Sequence, residues 1–416
     1  MSSEGSESPR LAALLAQHDY VKLWLSRVTS TVGLQIQSVA LGWQVYEVAR
    51  RTMSVQEAAF QVGVMGLVAF APVFLLALPA GEAADRYNRK LVLQICYAGE
   101  IATAALLAAA AYFEFASLPL LFGGAALFGV ARAFNSPTGN ALAPMLVPRF
   151  LLPRAIAWNS LAYQGGAIAG PAIGGLLLGV SPTVAYGVAC GLYAAAAVVL
   201  SLIRGNTRPQ VQPGSRWTLI KEGLGYVWGN RIVFGAISLD LFAVLLGGAT
   251  ALLPVFARDV LHVGAEGFGL LRSGPAIGAA VVALALATRP IRRHAGLILL
   301  GSVAIFGIAT VVFGLSRWLP LSLAALAVLG GADMVSVFVR QTMVQLVTPD
   351  HMRGRVSAVS SLFIGASNEL GEFESGVAAR FLGPVGAAIF GGVGSIGITV
   401  LWAKLFPALR KFDTLG

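Results

Sequence analysis

Charged residues are scarce in this sequence. Only 12% of its 416 residues are Asp, Glu, Lys or Arg, against about 25% in an ordinary soluble domain. Hydrophobic residues make up 57%, and long apolar runs recur along the whole chain. A run of about 18 or more such residues can cross the hydrocarbon core of a bilayer as a helix. The composition leaves no stretch for a separate soluble domain and predicts an all-α membrane protein.

Cysteines and acidic residues are also few. Cys96 and Cys190 both fall within apolar runs, so we expect no disulfide framework. The net charge of +10 comes from basic residues in short loops, which set membrane orientation and contact anionic lipid rather than nucleic acid. The four histidines are scattered and no phosphate-binding loop occurs. We therefore expect no metal site, no cofactor and no enzymatic activity.

The apolar runs predict twelve transmembrane helices in two six-helix bundles. The bundles span residues 1–203 and 232–416, and residues 204–231 form a cytoplasmic linker with a short surface helix. The second span is predicted at Glu57–Ala80 and the seventh at Val233–Ala257. Basic residues concentrate on one side of this arrangement, which places both termini in the cytoplasm.

The two halves carry a weak internal repeat. A shift of 201 residues aligns Gly129 with Gly330 and Gly170 with Gly371, within the fourth, fifth, tenth and eleventh predicted spans. Duplicated halves related by an axis along the membrane normal occur in secondary transporters.

The loop after the second span has the most specific pattern. It begins at Gly81 and reads GEAADRYNRK, with an Asp-Arg pair followed by a turn residue and a basic pair. Asn88 takes the turn position, where we expect a left-handed backbone conformation. Asp85 is expected to face either a helix end or Arg132, as a conformational latch.

The fifth span contains Gly-Pro at Gly170 and Pro171, with further glycines on either side. Glycines permit close helix contact, and the proline removes a backbone donor and bends the helix. Together with the preceding loop, this pattern resembles the major facilitator superfamily. Three further segments resemble its enterobactin-exporter-like and drug:proton antiporter branch: Arg27-Val-Thr-Ser in the first span, Glu222-Gly223-Leu224 before the seventh and Arg353-Gly354-Arg355-Val356 after the tenth. The resemblance implies a transporter that exports its substrate. The residues assigned to conformational gating are Gly81, Asp85, Arg86, Arg89, Lys90, Arg132, Gly170 and Pro171.

Acidic residues at membrane depth are candidates for proton coupling, because a charge at the bilayer centre is costly. Asp333 and Glu372 lie at similar distances from the loop that joins the tenth and eleventh spans, and Glu369 is one turn from Glu372. The proton-coupling candidates are Asp240, Asp333, Glu369 and Glu372. The alternative is a structural role, in which these acids form hydrogen bonds between helices or pair with arginines.

The favoured interpretation is proton-coupled export of a small amphipathic molecule, drug-like or siderophore-like, by alternating access. Arg27, Gln35 and Asn135 are candidates for lining the substrate cavity. The expected partners are the substrate, protons and membrane lipids, with a monomer in a bacterial inner membrane. An uncoupled facilitator, a lipid flippase and a membrane scaffold or sensor without transport remain alternatives, since fold does not fix function.

Overall fold

Helices account for most of the chain. The computed structural model describes residues 13–208, 216–289, 291 and 293–414, and these residues contain no β-strand. The prediction of an all-helical protein is confirmed. The helices are α1 His18–Ala49, α2 Val55–Leu75, α3 Ala77–Arg86, α4 Arg89–Tyr112, α5 Leu118–Leu142, α6 Leu152–Val180, α7 Pro182–Ser201, α8 Arg216–Gly229, α9 Arg231–Leu246, α10 Gly264–Thr288, α11 Ala295–Leu315, α12 Leu319–Val347, α13 Asp350–Leu405 and α14 Pro407–Arg410.

Local sequence signals explain several helix ends. Asn88 and Asn230 cap α4 and α9, because each side-chain oxygen accepts hydrogen bonds from two amides of the first turn. Ser181 caps α7 in the same way, through one amide. The 56-residue α13 consists of two helices, since Gly383 interrupts it with φ +73° and Pro384 follows.

Nine helical segments among the described residues are long and apolar enough to cross a membrane. The last of them runs from Arg355 to Leu405 and therefore includes the break at Gly383. A shorter apolar helix covers Gly165–Val180, within α6. These lengths define a multi-pass membrane protein.

Contacts between α-carbons group the chain into two compact units. The first comprises residues 1–44 and 68–213, and the second comprises residues 45–67 and 214–416. In the first unit α4 packs against α5 and α7, around a cluster that includes Leu23, Tyr97 and Leu200. In the second unit α12 packs against α10 and α11, while α13 packs against α9 and α11.

The repeated glycines lie at equivalent helix crossings in the two units. A methyl group added at Gly129 on α5 would lie 2.1 Å from the carbonyl oxygen of Ala69 on α2. A methyl group at Gly330 on α12 would lie 1.9 Å from the carbonyl oxygen of Pro275 on α10. Both positions need glycine because a helix backbone occupies the space of a side chain. The sequence repeat therefore corresponds to a repeated packing contact.

Two segments differ from the predicted boundaries. The segment Gly81–Arg86, predicted as loop, belongs to α3, so the non-helical connection to α4 contains only Tyr87 and Asn88. The predicted seventh span is interrupted after Leu246 and continues through a 3₁₀ turn and a π-helical turn, Phe256–Val260. The interruption lets Gly248 approach α13, where a methyl group on it would lie 2.4 Å from the backbone of Gly371.

The linker between the halves is described only in part. Residues 209–215, in the middle of the predicted linker, lie outside the described residues, as do the N-terminal residues 1–12. Helix α8 covers the segment in which the sequence predicts a short surface helix.

Candidate functional site

The connection between α3 and α4 is held by Asn88. Its Oδ1 atom accepts hydrogen bonds from the amides of Lys90 and Leu91. The same atom accepts a third hydrogen bond from the hydroxyl of Thr207, at 2.7 Å. The expected left-handed conformation is wrong, because Asn88 has φ −59° and ψ 113°. The role of Asn88 is instead to cap α4 and to anchor the segment that follows α7.

The basic pair after Asn88 binds the C-terminal ends of neighbouring helices. The guanidinium of Arg89 donates to the carbonyl oxygens of Ala84 and Ala141, at 2.8 and 2.7 Å. Lys90 Nζ donates to the carbonyl oxygens of Ser201 and Ile203, both at 2.7 Å. Carbonyls at a helix end lack partners within the helix and carry partial negative charge, so cations stabilise them. The pair therefore joins the ends of α3, α5 and α7.

Asp85, the acidic residue of the Asp-Arg pair, lies near Arg89. Asp85 Oδ1 lies 3.9 Å from Arg89, while Arg86 is exposed and pairs with Glu82 at 2.8 Å. Gly81 is buried on α3, which packs against α5. Arg132, one of the gating candidates on α5, lies over the ring of Phe128, 5.7 Å from its centroid.

The segment after α7 is fixed to α1 as well. Asp19 accepts hydrogen bonds from the amides of Gly205 and Arg204, at 2.8 and 3.2 Å, and pairs with Lys22. The hydrogen bond from Lys22 lowers the pKa of Asp19, and the two amides act in the same direction. The start of the linker is thus held from two sides, by Asp19 and by Asn88.

The glycines of α6 pack against α1. A methyl group at Gly170 would lie 2.4 Å from the β-carbon of Gln35, and one at Gly166 would lie 2.7 Å from Thr31. Pro171 is buried within α6, which continues as a helix beyond it. The Gly-Pro motif therefore brings α6 close to the helix that carries two of the cavity candidates.

These cavity candidates have distinct surroundings in the first unit. Gln35 contacts Gly170 through its β-carbon, whereas the guanidinium of Arg27 lies against Gly139 on α5. Among the described residues, Arg27 Nη1 is buried without a hydrogen-bond partner. Asn135 donates a hydrogen bond to Glu100 at 3.2 Å.

Two of the proton-coupling candidates lie in one buried group of the second unit. Arg340 donates to Asp240 Oδ2 at 2.5 Å, and the two residues are 1% and 5% exposed. Asp333, two turns from Arg340 on α12, lies within electrostatic range of both. The group thus contains two acids and one guanidinium, with Arg340 Nε and Nη2 unpaired among the described residues.

Glu372 has different neighbours from Asp333. It accepts a hydrogen bond from the hydroxyl of Thr250 at 3.1 Å and lies 3.7 Å from Arg272 on α10. Glu369 lies one turn away on α13 and is half-buried. The similar depth that the sequence predicts for Asp333 and Glu372 therefore does not give them shared partners.

Two polar groups of the structure escaped the sequence analysis. Glu100 on α4 is fully buried, and the signal for it was an acid in the middle of an apolar run. The second group joins the end of α1 to the π-helical turn Phe256–Val260, where Asp259 accepts a hydrogen bond from Tyr46 at 2.5 Å. Beside it, Arg258 pairs with Glu47 at 3.0 Å. No sequence spacing relates these residues, because they are more than 200 positions apart.

The helices of membrane-spanning length define a class, that of polytopic membrane proteins. Within it, the chain belongs to the transmembrane secretion effector family of the major facilitator superfamily, whose sequence profile matches residues 10–415. It is 28% identical over 409 residues to the enterobactin exporter EntS of Escherichia coli O139:H28 (strain E24377A / ETEC), covering 96% of this chain and 95% of the exporter.

Solved structures show the same fold at low sequence identity. The transporter PepTSo, of the POT family, superposes with a TM-score of 0.75 and 12% identity, covering 94% of this chain and 98% of that one. A bacterial homologue of the human lysosomal transporter Spinster, in an inward-facing and unoccupied conformation, gives a TM-score of 0.69 and 15% identity. It covers 98% of this chain and 97% of its own. The family and the fold indicate transport rather than enzymatic catalysis.

Proposed function

We propose that this protein is a proton-coupled exporter of a small amphipathic molecule, drug-like or siderophore-like, in a bacterial inner membrane. The observation that carries the proposal is the group formed by Asp240, Arg340 and Asp333. Charged residues inside a membrane are costly, so their presence indicates a role in transport or in helix packing. The direction is supported by the similarity to an enterobactin exporter.

The proposed architecture has twelve spans in two bundles, residues 1–203 and 232–416, joined by the linker 204–231. The nine apolar segments support it, together with α1, the apolar part of α6 and the second half of α13 beyond Gly383. Both termini lie in the cytoplasm. Reporter fusions at the C-terminus and within residues 204–208 are expected to read as cytoplasmic, and a periplasmic reading at the linker would exclude this topology.

Conformational gating is proposed for the motif around α3, with Asp85 as the latch. Its support is the position of Asp85 beside Arg89, a residue that itself binds two helix ends. An Asp85→Asn variant keeps the size of the side chain but removes its charge. We expect slower transport with normal expression and normal substrate binding, and an unchanged transport rate would contradict the latch.

Proton coupling is assigned first to Asp333, with Asp240, Glu369 and Glu372 as further candidates. Asp240 has its charge compensated by a hydrogen bond from Arg340, whereas Asp333 interacts with the same cation through its electrostatic field. Two acids near one arginine favour binding of one proton, because like charges oppose each other in a medium of low dielectric constant. Loss of that proton would leave a net negative group.

The test is transport by the purified protein in proteoliposomes with an imposed pH gradient. Enterobactin and a lipophilic fluorescent cation are the two probes, one for each proposed substrate class. The wild type is expected to accumulate one of them against its gradient, and Asp333→Asn to retain downhill exchange but lose accumulation. Downhill transport by the wild type without any response to the pH gradient would identify an uncoupled facilitator instead.

A further inference from the structure

Glu100 differs from the other buried acids in how its charge is compensated. It is fully buried on α4, and its Oε1 atom accepts one hydrogen bond, from the amide of Asn135 on α5. Its Oε2 atom is buried and has no hydrogen-bond partner among the described residues. Asp240 has a guanidinium at 2.5 Å, and Glu372 has both a hydroxyl and an arginine nearby.

Such an environment favours the neutral form of a carboxyl group. A carboxylate needs several hydrogen bonds or an ion pair to offset the loss of water. Among the described residues, Glu100 has one neutral amide as its hydrogen-bond donor and, beyond that, the electrostatic attraction of Arg132. Binding of a proton removes the charge at this position. The unpaired oxygen marks the atom that takes the proton.

We propose that Glu100 is a proton-binding site of this protein, held between α4 and α5. The titratable and charged groups around it are Cys96 and Tyr97 on α4, Arg132 on α5, Tyr193 on α7 and, through Tyr97, Arg27 on α1. When the proton leaves to water, the O–H bond breaks and the electron pair stays on the carboxylate. The resulting negative charge is then stabilised by Arg132 and by the amide of Asn135.

The role of this site in the transport cycle rests on the proposed proton-coupled function, but the protonation itself does not. Glu100 lies in the first unit, whereas Asp240 and Asp333 lie in the second. A proton site in the first unit means that the acids of the second unit need not carry the coupling alone. Substitutions of Asp333 and of Glu100 must therefore be tested separately in any measurement of proton coupling.

The test is infrared spectroscopy of the full-length protein in lipid nanodiscs, as a function of pH and without any substrate. The wild type is expected to show the absorption of a protonated carboxyl at neutral pH. Glu100→Gln should lose the intensity of one carboxyl, and Glu114→Gln, the same substitution at an exposed turn, is the control. Identical spectra of the wild type and Glu100→Gln would overturn the proposal.

A second variant keeps the test valid if Glu100→Gln does not fold. Asn135→Ala retains the carboxyl but removes the hydrogen bond that favours its ionised form. The protonated band of Glu100 should shift in frequency relative to the wild type, because its carboxyl oxygen no longer accepts the hydrogen bond of Asn135, and an unshifted band would contradict the assignment. Half-buried Glu374 is the competing acid, so loss of the band in Glu374→Gln rather than in Glu100→Gln would also overturn it.

Transport measurements separate this inference from the proposed function. A band that depends on Glu100, in a protein that shows no response to a pH gradient, supports the proton site and excludes the coupled exporter. If Glu100→Gln keeps both gradient-driven accumulation and the infrared band of the wild type, the exporter is supported and the proton site is excluded.

Discussion

The sharpest prediction concerns two glycines on the same helix. Gly129 and Gly123 both lie in α5, six residues apart, but only Gly129 faces a helix backbone. We expect Gly129→Ala to destabilise the protein and Gly123→Ala to stabilise it. The two substitutions add the same methyl group to the same helix, so differences in composition and helix propensity cancel between them.

The structure gives the magnitude of each effect. The new methyl group at Gly129 would lie 2.1 Å from the carbonyl oxygen of Ala69, where ordinary contacts are 3.4–4 Å, so the two helices must separate by more than 1 Å. Forced overpacking of this kind costs about 1–3 kcal/mol. At Gly123 no atom lies within 4 Å of the added methyl group. Replacing a helical glycine by alanine there stabilises by about 0.5–1 kcal/mol.

The assay is thermal unfolding of the purified variants in the same detergent, monitored as the loss of monodisperse protein. The midpoint should fall for Gly129→Ala and rise for Gly123→Ala. In the second unit, Gly330→Ala should lower the unfolding midpoint as Gly129→Ala does, because its methyl group would lie 1.9 Å from the backbone of Pro275. Equal midpoints for Gly129→Ala and Gly123→Ala would refute the close crossing of α2 and α5.

Three further predictions follow from ionic contacts. Arg340→Met should destabilise the protein by about 3–5 kcal/mol, since it leaves Asp240 buried without its cation. The double variant with Asp240→Leu should recover most of this loss in thermal unfolding, and an additive loss would count against the pair. Lys90→Met should lower the unfolding midpoint modestly, and no change would show that its two carbonyl contacts contribute nothing. Glu47→Arg should impair transport by opposing Arg258, and the reversed pair with Arg258→Glu should restore it; persistent loss in the double variant would contradict a specific pair.

The sequence predicted the fold class and the family because those properties depend on repeated local patterns. Apolar runs of membrane-spanning length recur along the chain, and the motif that begins at Gly81 has a fixed spacing. The same reasoning failed for Asn88, where an asparagine at a turn suggests a left-handed backbone. In the structure Asn88 caps α4 instead, and its side-chain oxygen also accepts a hydrogen bond from Thr207, which comes from a distant part of the chain.

The candidate site was only partly predictable, because charge compensation is a tertiary property. Asp240 and Asp333 were recognised as charges at membrane depth, and the structure adds that they share one group with Arg340. Glu100 is as deeply placed, but a lone acid in an apolar run gives no indication of its partner. Its neighbour Asn135 was singled out for a different reason, as a polar group in the fourth span.

The internal repeat explains why some positions are maintained in both halves and others are not. A glycine at a helix crossing has no substitute, since any side chain there meets a backbone carbonyl, and Gly129 and Gly330 are both retained. A charge is less constrained, because a guanidinium can reach the same place from another helix. The shift of 201 residues pairs Arg340 with Gly139, and the guanidinium of Arg27 lies against Gly139. The first half thus places an arginine of α1 beside the position that aligns with Arg340 of α12 in the second half.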